Sequence, residues 1–410
     1  MERFYINYSR TLSTLCVLLF LLVLPLRGSG QTTTANISGT VKDESGALLP
    51  GVTVTAKNLE TGLTRTMVTD TEGRYHISQL TPANYEIQTT SSGFQTAIRT
   101  GIDLTVGREA VVNLTLKVGE VTAKVVITGE APLVETTRSE ISSVVDDKKI
   151  RDLPVNGRSY DQLVLLQPGI VFYPNAARDL QYGSGVKFSA FGARPHSNLF
   201  LVDGTDINDQ ADFTPGSAAG MVLGIETLRE FKVLSSNYGA DYGRKSGAVV
   251  VAVTKSGTNS FHGNLFGFIR NDNLDARNFF DQQKPEFKRN QFGGTFGGPI
   301  LQDRLFFFGG YEGLREILGL STVTVVPNAL AHTGCLPDAT APGGIRCFPV
   351  NPRVKPYLDL FPLPNGRDNG DGTADYISSA ARVTGEDNFT IRVDHKLSDK
   401  DSYFVRYTYD

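Results

Sequence analysis

Between residues 261 and 410 five stretches alternate apolar and polar residues with a period of two, the spacing of strands that face an apolar environment on one side and a polar one on the other. The clearest is 388–396, where Phe389, Ile391 and Val393 share one face and Asn388, Thr390, Arg392, Asp394 and Lys396 the other. After a tight polar turn at 397–401, Tyr403, Val405, Tyr407 and Tyr409 line one face, opposite Ser402, Arg406 and Thr408. Three earlier strands are expected at 261–270, 291–298 and 305–313; the first groups Phe261, Leu265 and Ile269, the second Phe292 and Phe296, and the third is rich in Phe. The connections run long (271–290), short (299–304), long (314–387) and short (397–401), and eight prolines within 314–387 argue against regular strands there.

Strands that suit a tilted crossing of about 9–11 residues, joined alternately by short and long loops, resemble the beginning of an outer-membrane β-barrel. Alternation alone would also fit a water-soluble sandwich, so the loop pattern carries the distinction. Five strands fall short of the roughly 8 needed for a bacterial single-chain barrel, and the expectation is therefore a fragment that does not insert stably in isolation.

The 410 residues are 40% hydrophobic with a formal net charge of −3, enough for two or three domains and without the basic excess that would favour nucleic acid. Arg3 and Arg10 precede an apolar run over 15–24, and Gly28, Ser29 and Gly30 follow it, the order of a secretory signal peptide over 1–30 with cleavage near Gly30. The run is too short for a membrane helix. Cys16 falls inside it, which leaves Cys335 and Cys347 on the long loop 314–387. Export favours a disulfide between them, the alternative being two free thiols in a mobile loop.

From 37 to 116, six β-rich runs (37–41, 52–57, 65–69, 75–78, 85–90 and 111–116) are punctuated by Gly, Pro and Asp turns, which predicts a β-sandwich. The runs GTVKDESGALLPGVTV (39–54), TDTEGRY (69–75) and LTPANYEI (80–87) resemble the carboxypeptidase regulatory-like domain. That resemblance implies a transthyretin-like fold with carbohydrate-binding relatives. It does not imply peptidase chemistry: His76, His196, His262, His332 and His395 are scattered singly, and none is followed three residues later by Glu as a zinc motif would require.

Beyond the sandwich, VGEVTAKVVITGEAPLVET (118–136) contains the apolar residues Val125, Val126 and Ile127 with Thr128. These four could form one more edge strand, or could be the TonB box that precedes the plug of TonB-dependent receptors, a segment that pairs by strand addition with an inner-membrane energising protein. Three further runs resemble the plug of that family, specifically the Oar-like branch with a regulatory-like sandwich in front: DLPVNGRSYDQLVLLQPG (152–169), FGARPHSNLFLVDGTDIN (191–208) and NYGADYGRKSGAVVVAVTKSG (237–257). The expected order is a mainly β chain: signal peptide 1–30, sandwich 31–118, linker with candidate box 119–135, α+β plug 136–258, and the first strands of an antiparallel barrel 259–410.

Asp203, Asp206, Asn208 and Asp209, and likewise Asp368, Asp371 and Asp375, lack the spacing of a twelve-residue calcium loop and read as solvated acidic turns. Lys245-Ser246 and Lys255-Ser256 follow no phosphate-loop glycine spacing. No nucleophile–base set or paired carboxylates emerge, so an enzyme is the weakest reading and no cofactor is implied. The leading expectation is a TonB-dependent receptor that takes up an extracellular oligosaccharide or metal chelate, with a TonB-type protein and outer-membrane lipid as partners. The alternative is a secreted carbohydrate-binding or adhesive β protein with its Phe-rich strands in a soluble core.

Overall fold

The computed structural model describes residues 33–120, 124–128, 140–152, 158–173, 187–208, 215–216, 224–277, 284–398 and 401–410. The expected signal peptide and the Pro-Asn-Gly turn at 154–157 lie outside the described residues.

The N-terminal unit is a sandwich of strands β1 (Ala35–Asp43), β2 (Thr53–Asn58), β3 (Thr64–Val68), β4 (Arg74–Leu80), β5 (Ala83–Thr90), β6 (Thr96–Leu104), β7 (Glu109–Val111), β8 (Leu114–Leu116) and β9 (Lys124–Thr128). One sheet centres on β1, which pairs antiparallel with β4 and parallel with β7 and β8; the other runs β3-β2-β5-β6-β9. Alternation aims Ile37, Val41, Val54, Ile77, Ile87, Ile102 and Leu114 into a common core. The turn before β4 forms because Asp70 Oδ1 accepts from the backbone N–H groups of Glu72 and Arg74, while Gly73 takes the positive φ of +66° that a side chain would resist.

Three segments depart from expectation here. β6 is absent from the expected set because its alternation slips. Ala97 is buried near the start and Ile102 and Leu104 near the end, an odd-to-even change made at a register shift against β5 and at Gly101, φ +79°. The single strand expected at 111–116 is instead two three-residue strands. The segment assigned to a linker forms β9, parallel to β6 with Ala97 opposite Val125 and Thr100 opposite Thr128. Of the two readings left open for it, the edge strand describes its fold.

The middle segment forms a five-stranded sheet in the order β10-β15-β16-β13-β14, from β10 (Ile141–Asp146), β13 (Leu199–Val202), β14 (Thr205–Asp206), β15 (Leu228–Ser236) and β16 (Val249–Thr254), with β11 (Ile170–Phe172) and β12 (Phe188–Ala190) paired separately. Every residue of β16 is buried, as its unbroken apolar run requires of a strand covered on both faces. Val250 and Ala252 join Phe188, Phe200 and Phe231 on one side; Val249, Val251 and Val253 join Leu199, Leu201 and Leu234 on the other. That second cluster includes Val106 from the sandwich, so the two units share a core.

The C-terminal unit is one antiparallel sheet in sequence order: β17 (His262–Asn271), β18 (Phe287–Leu301), β19 (Leu305–Pro327), β22 (Thr373–Lys396) and β23 (Ser402–Tyr409), with the small hairpin β20 (Cys335–Pro337) and β21 (Ile345–Cys347) between β19 and β22. Its polarity is the reverse of a soluble domain's. Leu265 is 92%, Ile269 79% and Val383 76% exposed, whereas Gln291, Glu316 and Thr390 are 0–2% exposed on the opposite face. Apolar-out and polar-in is the pattern of a sheet whose outer solvent is lipid. Phe306 and Phe308 are buried on the inner face, but the exposed apolar row on the outer one argues against the soluble core expected under the adhesin alternative.

The loop expected at 314–387 is much shorter. β19 and β22 stay paired from Leu305 opposite His395 to Pro327 opposite Thr373, leaving 328–372 as the connection. The extension is hidden in the sequence because polar residues (Glu316, Thr384, Glu386) are buried along it among a few apolar ones (Leu314, Val326, Ala374), so no regular apolar period marks the strand.

Candidate functional site

The polar inner face of the barrel sheet is covered by the middle segment, and two charged clusters join them. At the first, β13 and β14 are linked by the two-residue turn Asp203-Gly204, whose φ values of +49° and +83° suit an Asp-Gly hairpin. Asp203 accepts from Thr254 N at 3.0 Å and Thr254 Oγ1 at 2.7 Å. Arg392 Nη1 lies 3.2 Å from Asp203 Oδ1 and Arg406 Nε 3.2 Å from Oδ2, so two barrel strands converge on one carboxylate of the middle segment. Arg392 also donates to Asp394 Oδ1 at 2.8 Å, and its guanidinium sits 4.3 Å from the centre of the Phe404 ring. The side chains of Asp203, Arg392 and Arg406 are all largely buried, so the cluster is a specific joint whose charges are costly to separate.

At the second cluster Glu226 accepts from Arg158 Nη2 at 2.6 Å and from Asn264 of β17. The Arg158 guanidinium lies over the rings of Phe266 and Phe268, at 4.7 and 4.2 Å. Contact here is close: a Cβ on Gly310 would stand 2.6 Å from Thr227 Cγ2.

A third set of contacts docks the sandwich. Arg229 of β15 makes a bidentate pair with Glu60 at 2.7 and 2.8 Å, and Asn259 N donates to Glu60 O at 2.9 Å. Asn259 Nδ2 donates to Asp303 in the short β18–β19 turn at 2.7 Å, which places that turn beside the sandwich. Glu230 accepts from Val106 N, and burial lifts its carboxyl to about 7 against the opposing pull of that N–H and of Arg229. A cavity of about 510 Å³ lined by Glu60, Asp146, Glu230, Lys255 and Asn264 lies where the three units meet.

Of the residues that the sequence singles out, Cys335 and Cys347 oppose each other in the β20–β21 hairpin and are joined by a disulfide. Val125, Val126, Ile127 and Thr128 lie on β9, paired with β6. Asp203, expected in a solvated acidic turn, is instead the buried acceptor of two arginines. Only the Asp-Gly dipeptide points to it. Glu226, Arg158, Arg392 and Arg406 carry no local signal.

Residues 253–410 match the outer membrane beta barrel domain family and residues 36–117 the carboxypeptidase regulatory-like domain family. The C-terminal segment is thus similar to an outer-membrane β-barrel domain, in keeping with the inverted polarity of its sheet, and the segment in front of it to a regulatory-like sandwich. The chain is 30% identical over 276 residues to the TonB-dependent transporter Oar of Myxococcus xanthus, covering 63% of this chain and 24% of that protein. The chain thus matches about a quarter of that curated relative's length. Solved structures similar to it include the ferric enterobactin receptor of Pseudomonas aeruginosa (17% identity, TM-score 0.40, 66% of this chain and 32% of that one). Another is the outer membrane transporter YddB of Escherichia coli (15% identity, TM-score 0.38, 63% and 31%).

Proposed function

We propose that the chain is the periplasmic and plug-bearing part of a TonB-dependent outer-membrane receptor, with the middle segment, 136–258, as the plug. The supporting observation is the Asp203–Arg392–Arg406 joint: a carboxylate on the middle segment seated against the polar inner face of a sheet whose outer face is apolar. A folded unit held in a barrel lumen by a few buried ion pairs is blocked at rest and can be freed by separating those pairs. Buried pairs suit a gate, because they are stable while water is excluded and weaken once it enters.

In this reading residues 1–30 direct export, the sandwich lies in the periplasm beside the short turn at Asp303, and the disulfide hairpin faces outward. Val125, Val126, Ile127 and Thr128 form the segment gripped by the energising protein. Tension on it pulls at the plug through residues 129–139. The transported ligand is an oligosaccharide or a metal chelate, with the sandwich's carbohydrate-binding relatives favouring the former.

The test is uptake by the full-length receptor in a deletion strain supplied with a panel of glycans and metal chelates. Val126→Pro and Ile127→Pro each remove a backbone donor and fix φ, and each should abolish energised uptake while leaving ligand binding at the surface intact. Undiminished uptake by both variants would remove the box assignment.

A further inference from the structure

β9 is the outermost strand of its sheet. One edge pairs with β6 over five residues, and among the described residues no strand pairs with the other edge. Successive residues of a strand direct their N–H and C=O groups to opposite edges, so the outward half of β9's backbone groups is open to strand addition. Resting on the box reading above, we propose that the energising protein adds its strand to this outer edge while β9 remains paired with β6, so that sandwich, box and partner form one continuous sheet.

Pre-organisation favours this arrangement. Strand addition normally requires the incoming segment to be ordered, and that ordering opposes binding. Here β6 already holds residues 124–128 extended and in register, and Thr96 and Ala97 of β6 are themselves buried in the sandwich. Release from β6 before pairing would add the loss of a ladder to the cost of ordering. The sandwich then acts as a template. It also lies in the path of the pull, because Glu60 and Val106 fasten it to the plug strand that carries Arg229 and Glu230.

The register supplies the test. Ile98 and Val126 are directly opposed, and both side chains lie on the partly exposed face. In the full-length receptor in outer-membrane vesicles, Ile98→Cys with Val126→Cys should form a disulfide that locks β9 to β6, with the single variants controlling for exchange with Cys335 and Cys347. The probe is the purified periplasmic domain of a TonB-type protein. Oxidised and reduced forms of the double variant should bind it within about twofold of each other. A tenfold or greater loss on oxidation, reversed by reductant, would show that the strand must leave the sandwich and would overturn the proposal. Val126→Pro and Ile127→Pro, whose N–H groups point to opposite edges, separate this failure from that of the box reading. If both bind the probe like the parent receptor, the box itself is misassigned whatever the lock does.

Discussion

Asp203 shows how far a single carboxylate can be from being understood locally. Its salt-bridge partner Arg392 lies 189 positions away, and nothing in the neighbourhood of a polar Asp-Gly turn distinguishes a solvated corner from a buried joint. Asp203→Asn keeps the turn but strips the counter-charge from Arg392 and Arg406. Removing one member of a buried pair costs about 3 kcal/mol or more, so the middle segment should become protease-sensitive in the folded full-length protein while the barrel keeps its heat-modifiable migration. Unchanged cleavage would show that the joint does not hold the middle segment.

Glu230 offers a second test at this scale. Its carboxyl sits at about 7 in the folded protein against an ordinary value of 4.5, because burial beside Asp103 and Asp146 outweighs Arg229 and the Val106 N–H. A raised folded-state value means that its contribution to docking is fully present below about 4.5 and is lost as pH rises through about 7. Protection of Val106 and its neighbours, taken relative to the intrinsic base-catalysed exchange rate, should therefore fall between about pH 4.5 and 7. Glu230→Gln, permanently neutral, should flatten that dependence.

At the scale of elements, legibility follows periodicity. The hairpin over 388–409 is largely readable, because its outward positions are mostly apolar and its inward ones, Phe404 excepted, polar, and β22 and β23 pair in that register. β6 escapes such a reading where a bulge shifts the phase, and the upper halves of β19 and β22 escape it where buried positions are polar and prolines crowd the connection. Which neighbour β9 would choose is a property of β6's free edge, which only the folded sandwich supplies. The β20–β21 hairpin makes a local prediction. Its disulfide spans 12 positions, a short loop worth about 3 kcal/mol in the chain-entropy picture. Cys335→Ser should raise hydrogen exchange over 333–350 and leave the plug's protection unchanged.

For the whole molecule the decisive property is which solvent the outer face of the C-terminal sheet meets. Leu265 is the most outward of its apolar row, and in lipid an arginine near the bilayer centre costs about 2–4 kcal/mol. Leu265→Arg in the full-length receptor should lower the folded fraction recovered in bilayers. A sheet that faced water would tolerate or welcome the same change. The fold class and the order of units are legible because they rest on turns and alternation, whereas the joints between units are not, because they bring together residues far apart in the chain.

The long ribbon of β19 and β22 has a consequence for the cell surface. It is paired over 23 residues of β19, whereas a crossing uses about 9–11, so at about 3.3 Å per residue the proposed orientation would make it stand like a mast, carrying the disulfide hairpin some tens of ångströms above the hydrocarbon. An epitope inserted after Gly343 should bind antibody on intact cells, while one placed beside Asp303 should require permeabilisation. Under the proposed orientation, phages, antibodies and neighbouring cells would meet the masthead before any solute reaches the barrel, which would make this hairpin the protein's immunological face.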